Sequence, residues 1–216
     1  MKKLTIRSLQ REASQFAEIE SEFPEPALYG VTDGKAVGTY FEHKFQAFLK
    51  DRYKYTQGSS AKGIDFPELG VDMKVTSITQ PQSSCPFKSA RQKVYGLGYN
   101  LLVFVYNKID DADTRTGRLE VRHVIFVEER RTADFQMTNG LRQIVDTGGN
   151  EDDLVGFMQD RYLPVDEIES RNLAREVLNR PPEIGYLTVS NALQWRLQYG
   201  RVISQAGSVN GIVRIR

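Results

Sequence analysis

The chain has 216 residues, 29 Lys and Arg against 28 Asp and Glu, a formal net charge of +1, 40% hydrophobic residues and one cysteine. A chain of this length buries roughly 70% of its unfolded surface, so it needs neither a disulfide nor a structural metal to fold. Cys85 has no internal partner, and the two histidines, His43 and His123, cannot complete a Cys/His zinc site, so the chain reads as intracellular.

In chain order, the basic segment 1–7 leads into charged sequence rather than an apolar run. The reading is of no signal peptide, and no stretch approaches the ~18 apolar residues of a membrane span. Residues 8–22 place Leu9, Ala13, Phe16 and Ala17 at helical spacing, and Pro24, Pro26, Gly30 and Gly34 mark the following loop. Residues 36–53 predict a stronger helix with Phe41, Phe45, Phe48 and Leu49 on one side. Glu42, three residues before Phe45 and seven before Leu49, shares that side. A carboxylate there either reaches water at the edge of the stripe or needs a partner or a metal. His43, about 100° further round, reads as a surface residue.

A loop rich in Gly and Ser over 55–61 leads to Ile64, Asp65 and Phe66, whose alternation predicts one strand of a hairpin. Pro67 to Gly70 supply the reversal and Val71 to Val75 the second strand. On that strand Val71, Met73 and Val75 face a core, while Asp72 and Lys74 project together from the other face, beside Asp65. The pair reads either as an exposed ion pair worth at most ~1 kcal/mol or as part of a group of carboxylates gathered round a cation.

A polar loop over 77–87 and a short helix over 89–96 come next. The apolar run Leu101 to Tyr106 then predicts a strand buried on both faces. Residues 110–117 form a polar turn, 119–127 alternate as another strand, and 133 to about 179 read as helical with breaks at Gly148, Gly149 and Pro164. In the tail, 191–199 predict a short helix, and Val202 and Ile212 sit in β-like pieces. This order implies an α/β fold with a mixed central sheet flanked by helices and a mainly helical C-terminal part. It is read as one domain over 1–216 with its core at about 36–127, without the strict βα alternation of a doubly wound nucleotide-binding fold.

Charge is unevenly placed. Residues 42–93 carry nine Lys or Arg against five Asp or Glu, and 187–216 carry four Arg (196, 201, 214 and 216) and no acid. Such asymmetry fits a nucleic-acid binder and fits a solvated face. Candidate nucleic-acid contacts are Lys62 before the hairpin, Ser83, Ser84, Lys88, Arg91 and Gln92 after it, and Arg196 and Arg201 in the tail. The tail's Asn191, Gln194, Trp195, Gln198 and Tyr199 suit base readout or a subunit interface. Cys85 lacks the histidine motif that would support it as a nucleophile.

Glu42, Asp65, Asp72 and Lys74 together resemble the PD-(D/E)XK nuclease superfamily, most of all its type II restriction endonucleases. That pattern has an acid on the first helix, an Asp on the first hairpin strand, and an Asp or Glu two positions before a Lys on the next. Ile64 stands where the signature writes Pro. The resemblance covers 36 to about 127 and implies a Mg²⁺-dependent endodeoxyribonuclease, with Mn²⁺ as a possible substitute. Asp65, Asp72 and the Met73 carbonyl would hold the metal, Glu42 a second metal or an outer-shell water, and Lys74 would orient the nucleophile. It further implies double-stranded DNA as substrate, a homodimer built through residues 128–216 or their use in recognition, no membrane or nucleotide cofactor, and a prokaryotic cytoplasmic location. A junction resolvase or repair nuclease of the same fold, or a non-catalytic DNA-binding module, are the competing readings.

Overall fold

Thr5 and Asp33 decide where the first two long helices begin. The Thr5 hydroxyl accepts the Ser8 N–H (3.2 Å) while the Ser8 hydroxyl accepts the Thr5 N–H (2.9 Å), and an Asp33 carboxylate oxygen accepts the Lys35 N–H (3.0 Å). Both caps satisfy amides that the first turn leaves unpaired. The structure is a computed structural model that describes residues 1–58, 63–84, 87–189 and 196–216.

Its elements are β1 (Lys2–Lys3), α1 (Ile6–Glu22), α2 (Gly34–Lys50), β2 (Tyr53–Lys54), β3 (Val71–Ser77), β4 (Gln82–Ser84), α3 (Ala90–Tyr95), β5 (Asn100–Asp111), β6 (Thr116–Val127), α4 (Phe135–Asp146), α5 (Glu151–Asp160), α6 (Glu167–Asn179), β7 (Thr188–Val189), β8 (Arg196–Gln198), α7 (Gly200–Gln205) and β9 (Ile212–Arg214). They cluster into two compact units. One comprises Met1–Ser83, Asn100–Val127 and Ile203–Arg216, the other Ser84–Tyr99 and Glu128–Val202.

In the first unit a sheet of order β3-β5-β6-β9 is mixed, with β3 parallel to β5 and the other pairs antiparallel. Residues Leu101 to Val105 are wholly buried, as a strand apolar on both faces requires. Leu102, Phe104 and Tyr106 join Val71 and Met73 in one core with the apolar stripes of α1 and α2. Phe104 anchors α2 to the sheet, its ring centroid 4.9 Å from that of Phe41 and 5.3 Å from that of Phe45, and Phe16 of α1 closes on Phe41 at 5.2 Å. The second unit holds α3 to α6 around Val94, Met137, Leu141, Leu154, Met158, Leu173 and Val177. Its helix breaks fall where expected, at Gly148 (φ 79°) and after the C-terminus of α5, before Pro164. No helix among the described residues is long and apolar enough to cross a membrane.

Two sequence expectations need correction. The tail segment 196–198 is a strand rather than the end of a helix: Leu197 and Tyr199 are buried and Gln198 is exposed, a period of two, and β8 pairs antiparallel with β7. Val202, read as β-like, lies in α7, whereas Ile212 does begin a strand.

Glu12 on α1 ties that helix to the segment after α2. Its carboxylate accepts the Tyr53 hydroxyl (2.8 Å), Arg11 (3.1 Å) and Arg52 (2.9 Å). Burial alone would raise its pKa, but the donors from Tyr53, Arg11 and Arg52 outweigh it and hold the group below the usual carboxylate range. A depressed folded pKa contributes stability that is present above the unfolded value and is lost as pH falls through the folded one. Glu12→Ala is therefore expected to cost about 1–3 kcal/mol near neutral pH, with the deficit narrowing in acid. Urea titrations of both proteins at several pH values check this.

Candidate active site

The strand that carries the site is set by a tight reversal. Phe66 and Val71 exchange both backbone hydrogen bonds (2.9 and 3.2 Å) across a short 3-10 turn, Pro67–Leu69, and Gly70 closes the turn at φ 58°, where a side chain would be strained. The first arm is thus shorter than expected: Phe66 makes a single bridge, and Ile64 and Asp65 are not in a strand. The Asp65 carboxylate takes the Met73 N–H that the next rung, Ile64 opposite Met73, would need, so the ladder stops after one bridge.

Asp65 still reaches the second arm, because its Oδ2 accepts the Met73 N–H at 2.8 Å. Along β3, Val71 and Met73 are fully buried in the core, and Asp72 on the opposite face is only 3% exposed. That burial removes the exposed-ion-pair reading. Lys74 Nζ lies 2.6 Å from Asp72 Oδ2 as its ion-pair partner, and among the described residues this buried oxygen accepts no hydrogen bond. Burial, aided by the neighbouring Asp65 carboxylate, pushes the Asp72 carboxyl up to about 7 against the pull of Lys74. Glu42, half-buried on α2, is also raised, first by burial and then by the charge of Asp65, with Lys74 opposing. The four groups expected from the sequence therefore act on one another within a single unit.

The donor chemistry fits a hard divalent cation. Val71 and Met73 present their N–H groups to the Phe66 and Asp65 side of β3, and in a strand a residue's C=O points to the same edge as its N–H. Asp65, the Met73 carbonyl and the unsatisfied Asp72 Oδ2 together supply oxygen ligands of the kind Mg²⁺ takes. Among the described residues no three His, Cys, Asp or Glu side chains are grouped to hold one ion, so the fit is two carboxylates with a main-chain oxygen.

The family model "Type II restriction enzyme NspV" matches residues 3–214 of the chain. The chain is also 63% identical over 212 residues to the type II restriction enzyme NspV of a Nostoc species, covering 98% of this chain and 96% of that protein. No solved structure matches it. The chain belongs to the NspV type II restriction enzyme family. The enzyme class expected from the sequence, a site-specific deoxyribonuclease, is that of this family.

The DNA-contact candidates of this NspV-family chain are less uniformly placed than its acids. Lys62 lies outside the described residues, as do Cys85, Asn191, Gln194 and Trp195. Ser83 and Ser84 end β4, and Lys88 is exposed just before α3. Arg91 is ion-paired with Glu176 and lies over the Tyr95 ring (4.7 Å), while Gln92 closes the capping box with Ser89 and donates to the Leu97 carbonyl (3.2 Å). Arg196 sits on β8, and the Arg201 guanidinium stacks 3.7 Å from the Phe135 ring centroid. Arg91, Gln92 and Arg201 are thus held by their own unit. Sequence reasoning passed over Gln46, an inward polar residue four positions after Glu42, although that spacing alone singles it out.

The raised Asp72 carries a stability prediction. An acid whose folded pKa is raised contributes stability below its unfolded pKa that is lost as pH climbs through the folded value, here near 7. In chelator at about pH 8, Asp72→Asn should raise the melting temperature by about 2–8 °C, and the gain should shrink through the acid range and vanish only below about pH 4, the unfolded carboxyl's own range. Thermal unfolding across that range tests it; an unchanged or lower melting temperature at the alkaline end refutes it.

Proposed function

We propose that this chain cleaves double-stranded DNA at a specific sequence by Mg²⁺-dependent phosphodiester hydrolysis, with Asp65, Asp72, Lys74 and Glu42 as its catalytic centre and Mn²⁺ able to replace Mg²⁺. The observation that carries the reading is the buried Asp72 oxygen, which among the described residues has the Lys74 ion pair but no hydrogen bond and feels the charge of Asp65. A fold does not bury such a group without cause, and functional sites are where strongly shifted carboxyls gather.

Asp65, Asp72 and the Met73 carbonyl would hold the cation, and Glu42 a second one or an outer-shell water. Bound there, the ion would neutralise the scissile phosphate and lower the pKa of a water. The chain's own groups do the rest. The Met73 N–H fixes the Asp65 carboxylate, so one ligand is set before any substrate arrives. Lys74 is the only cation whose ion pair reaches Asp72 among the described residues; turned toward a phosphate oxygen, its ammonium would orient the attacking water and stabilise the developing charge. The burial of Asp72 excludes water from one side of the centre and strengthens each of these interactions.

The whole chain, 1–216, would work as one nuclease domain in the bacterial cytoplasm. Cutting both strands calls for two centres, which a homodimer supplies. Incubation with plasmid, in Mg²⁺ or in chelator, tests the proposal. Discrete fragments are expected in Mg²⁺ or Mn²⁺ and none in chelator; binding without cleavage under every metal would leave the non-catalytic reading, and preference for four-way junctions the resolvase.

A further inference from the structure

We infer that Gln46 and Gln57 form a latch that holds the helix bearing Glu42 in register with the segment bearing Asp65, which makes both glutamines positioning residues for the centre. The inference rests on the active-site reading above. Glu42 and Asp65 carry like charge and repel, so their mutual attraction cannot keep them together. Something else must.

Gln46 lies one turn beyond Glu42 on the same side of α2 and is 8% exposed. Its Oε1 accepts a hydrogen bond from Gln57 Nε2, and its backbone carbonyl accepts the Tyr55 hydroxyl at 3.1 Å. The strip 55–58 is therefore bonded to α2. The same strip is bonded to the other side of the centre: Gly58 N–H donates to the Asp65 carbonyl at 2.9 Å, and the Tyr55 ring packs 5.6 Å from that of Phe66. A Cβ on Gly58 would stand 1.8 Å from the Ile64 carbonyl oxygen, so only glycine allows this approach. Asp65 is held through its carbonyl by Gly58 and through its carboxylate by Met73, while the amide pair joins that assembly to the helix of Glu42.

The test compares Gln46→Ala, Gln57→Ala and the double variant with the unaltered protein. Two quantities are read: the Mg²⁺ concentration for half-maximal plasmid cleavage, and the rise in melting temperature that Mg²⁺ produces without DNA. Each single variant should raise the required Mg²⁺ by about tenfold or more, as loss of a ligand's supporting contact does, and shrink the Mg²⁺-induced rise. The double variant should be no worse than the singles, since both remove one bond. A melting temperature lowered in chelator with an unchanged Mg²⁺ requirement makes the pair merely structural and overturns the inference, as do effects that add. Asp65→Ala, run alongside, separates the two levels. If it keeps both cleavage and the Mg²⁺ response, the active-site reading has failed; if it loses both while the glutamine variants match the unaltered protein, only the latch has.

Discussion

Asp72→Asn and Lys74→Ala should each lower DNA cleavage by about a thousandfold or more, while moving the stability of the metal-free protein in opposite directions. Asp72→Asn removes a buried charge whose carboxyl is raised to about 7, so the fold gains at alkaline pH. Lys74→Ala removes the group that pulls that carboxyl down and leaves Asp72 buried without its ion pair at 2.6 Å, so the fold loses. A shared loss of cleavage with opposite stability shifts cannot come from unfolding. The measurement is single-turnover cleavage of a plasmid beside thermal unfolding of the same preparations. Cleavage within tenfold of the unaltered protein in either variant would sink the assignment of the centre.

Phe45→Ala is expected to carry the largest stability cost, about 3–5 kcal/mol, or about 6–20 °C in melting temperature for a chain of this size. Its ring is fully buried and meets Phe16 at 5.1 Å, Phe104 at 5.3 Å and Phe66 at 6.5 Å. Those neighbours sit on α1, on β5 and beside Asp65, so one truncation opens a cavity where helix, sheet and site meet. Cleavage should fall as well, because Glu42 is one turn away on the same helix. Ile168→Ala, at a residue 75% exposed, serves as a control and should change stability by no more than about 0.5 kcal/mol. Denaturant unfolding of the two variants settles it, and a cost below about 1 kcal/mol for Phe45→Ala is incompatible with this packing.

Much of this was legible because it is local. The four-residue spacing of Phe41, Phe45 and Leu49 puts them on one face of a helix whatever surrounds it, and Leu101 to Tyr106 is short, apolar and rich in Val and aromatic residues, as a strand buried on both faces is. The tail is less legible because Arg196 to Tyr199 is too short for its period to outweigh helix-compatible composition, and its partner β7 is only two residues long. The first hairpin arm is shorter than its alternation predicts for a different reason: the Asp65 carboxylate takes the Met73 N–H that Ile64 would pair with, and that tertiary bond has no signature in the alternation of Ile64, Asp65 and Phe66.

The sequence by itself determined that Asp72 and Lys74 share a face, that Glu42 lies on the apolar side of its helix and that a reversal returns Asp65 toward the second arm, since each follows from covalent spacing along a short stretch of chain. Only the tertiary structure decided that Asp72 is buried, that its oxygen accepts no hydrogen bond among the described residues, that Asp65 is gripped by the Met73 N–H and that Gln46 and Gln57 tie the two acid-bearing segments together. Burial and the field at a carboxylate are sums over everything packed around it, and no spacing along the chain contains that sum.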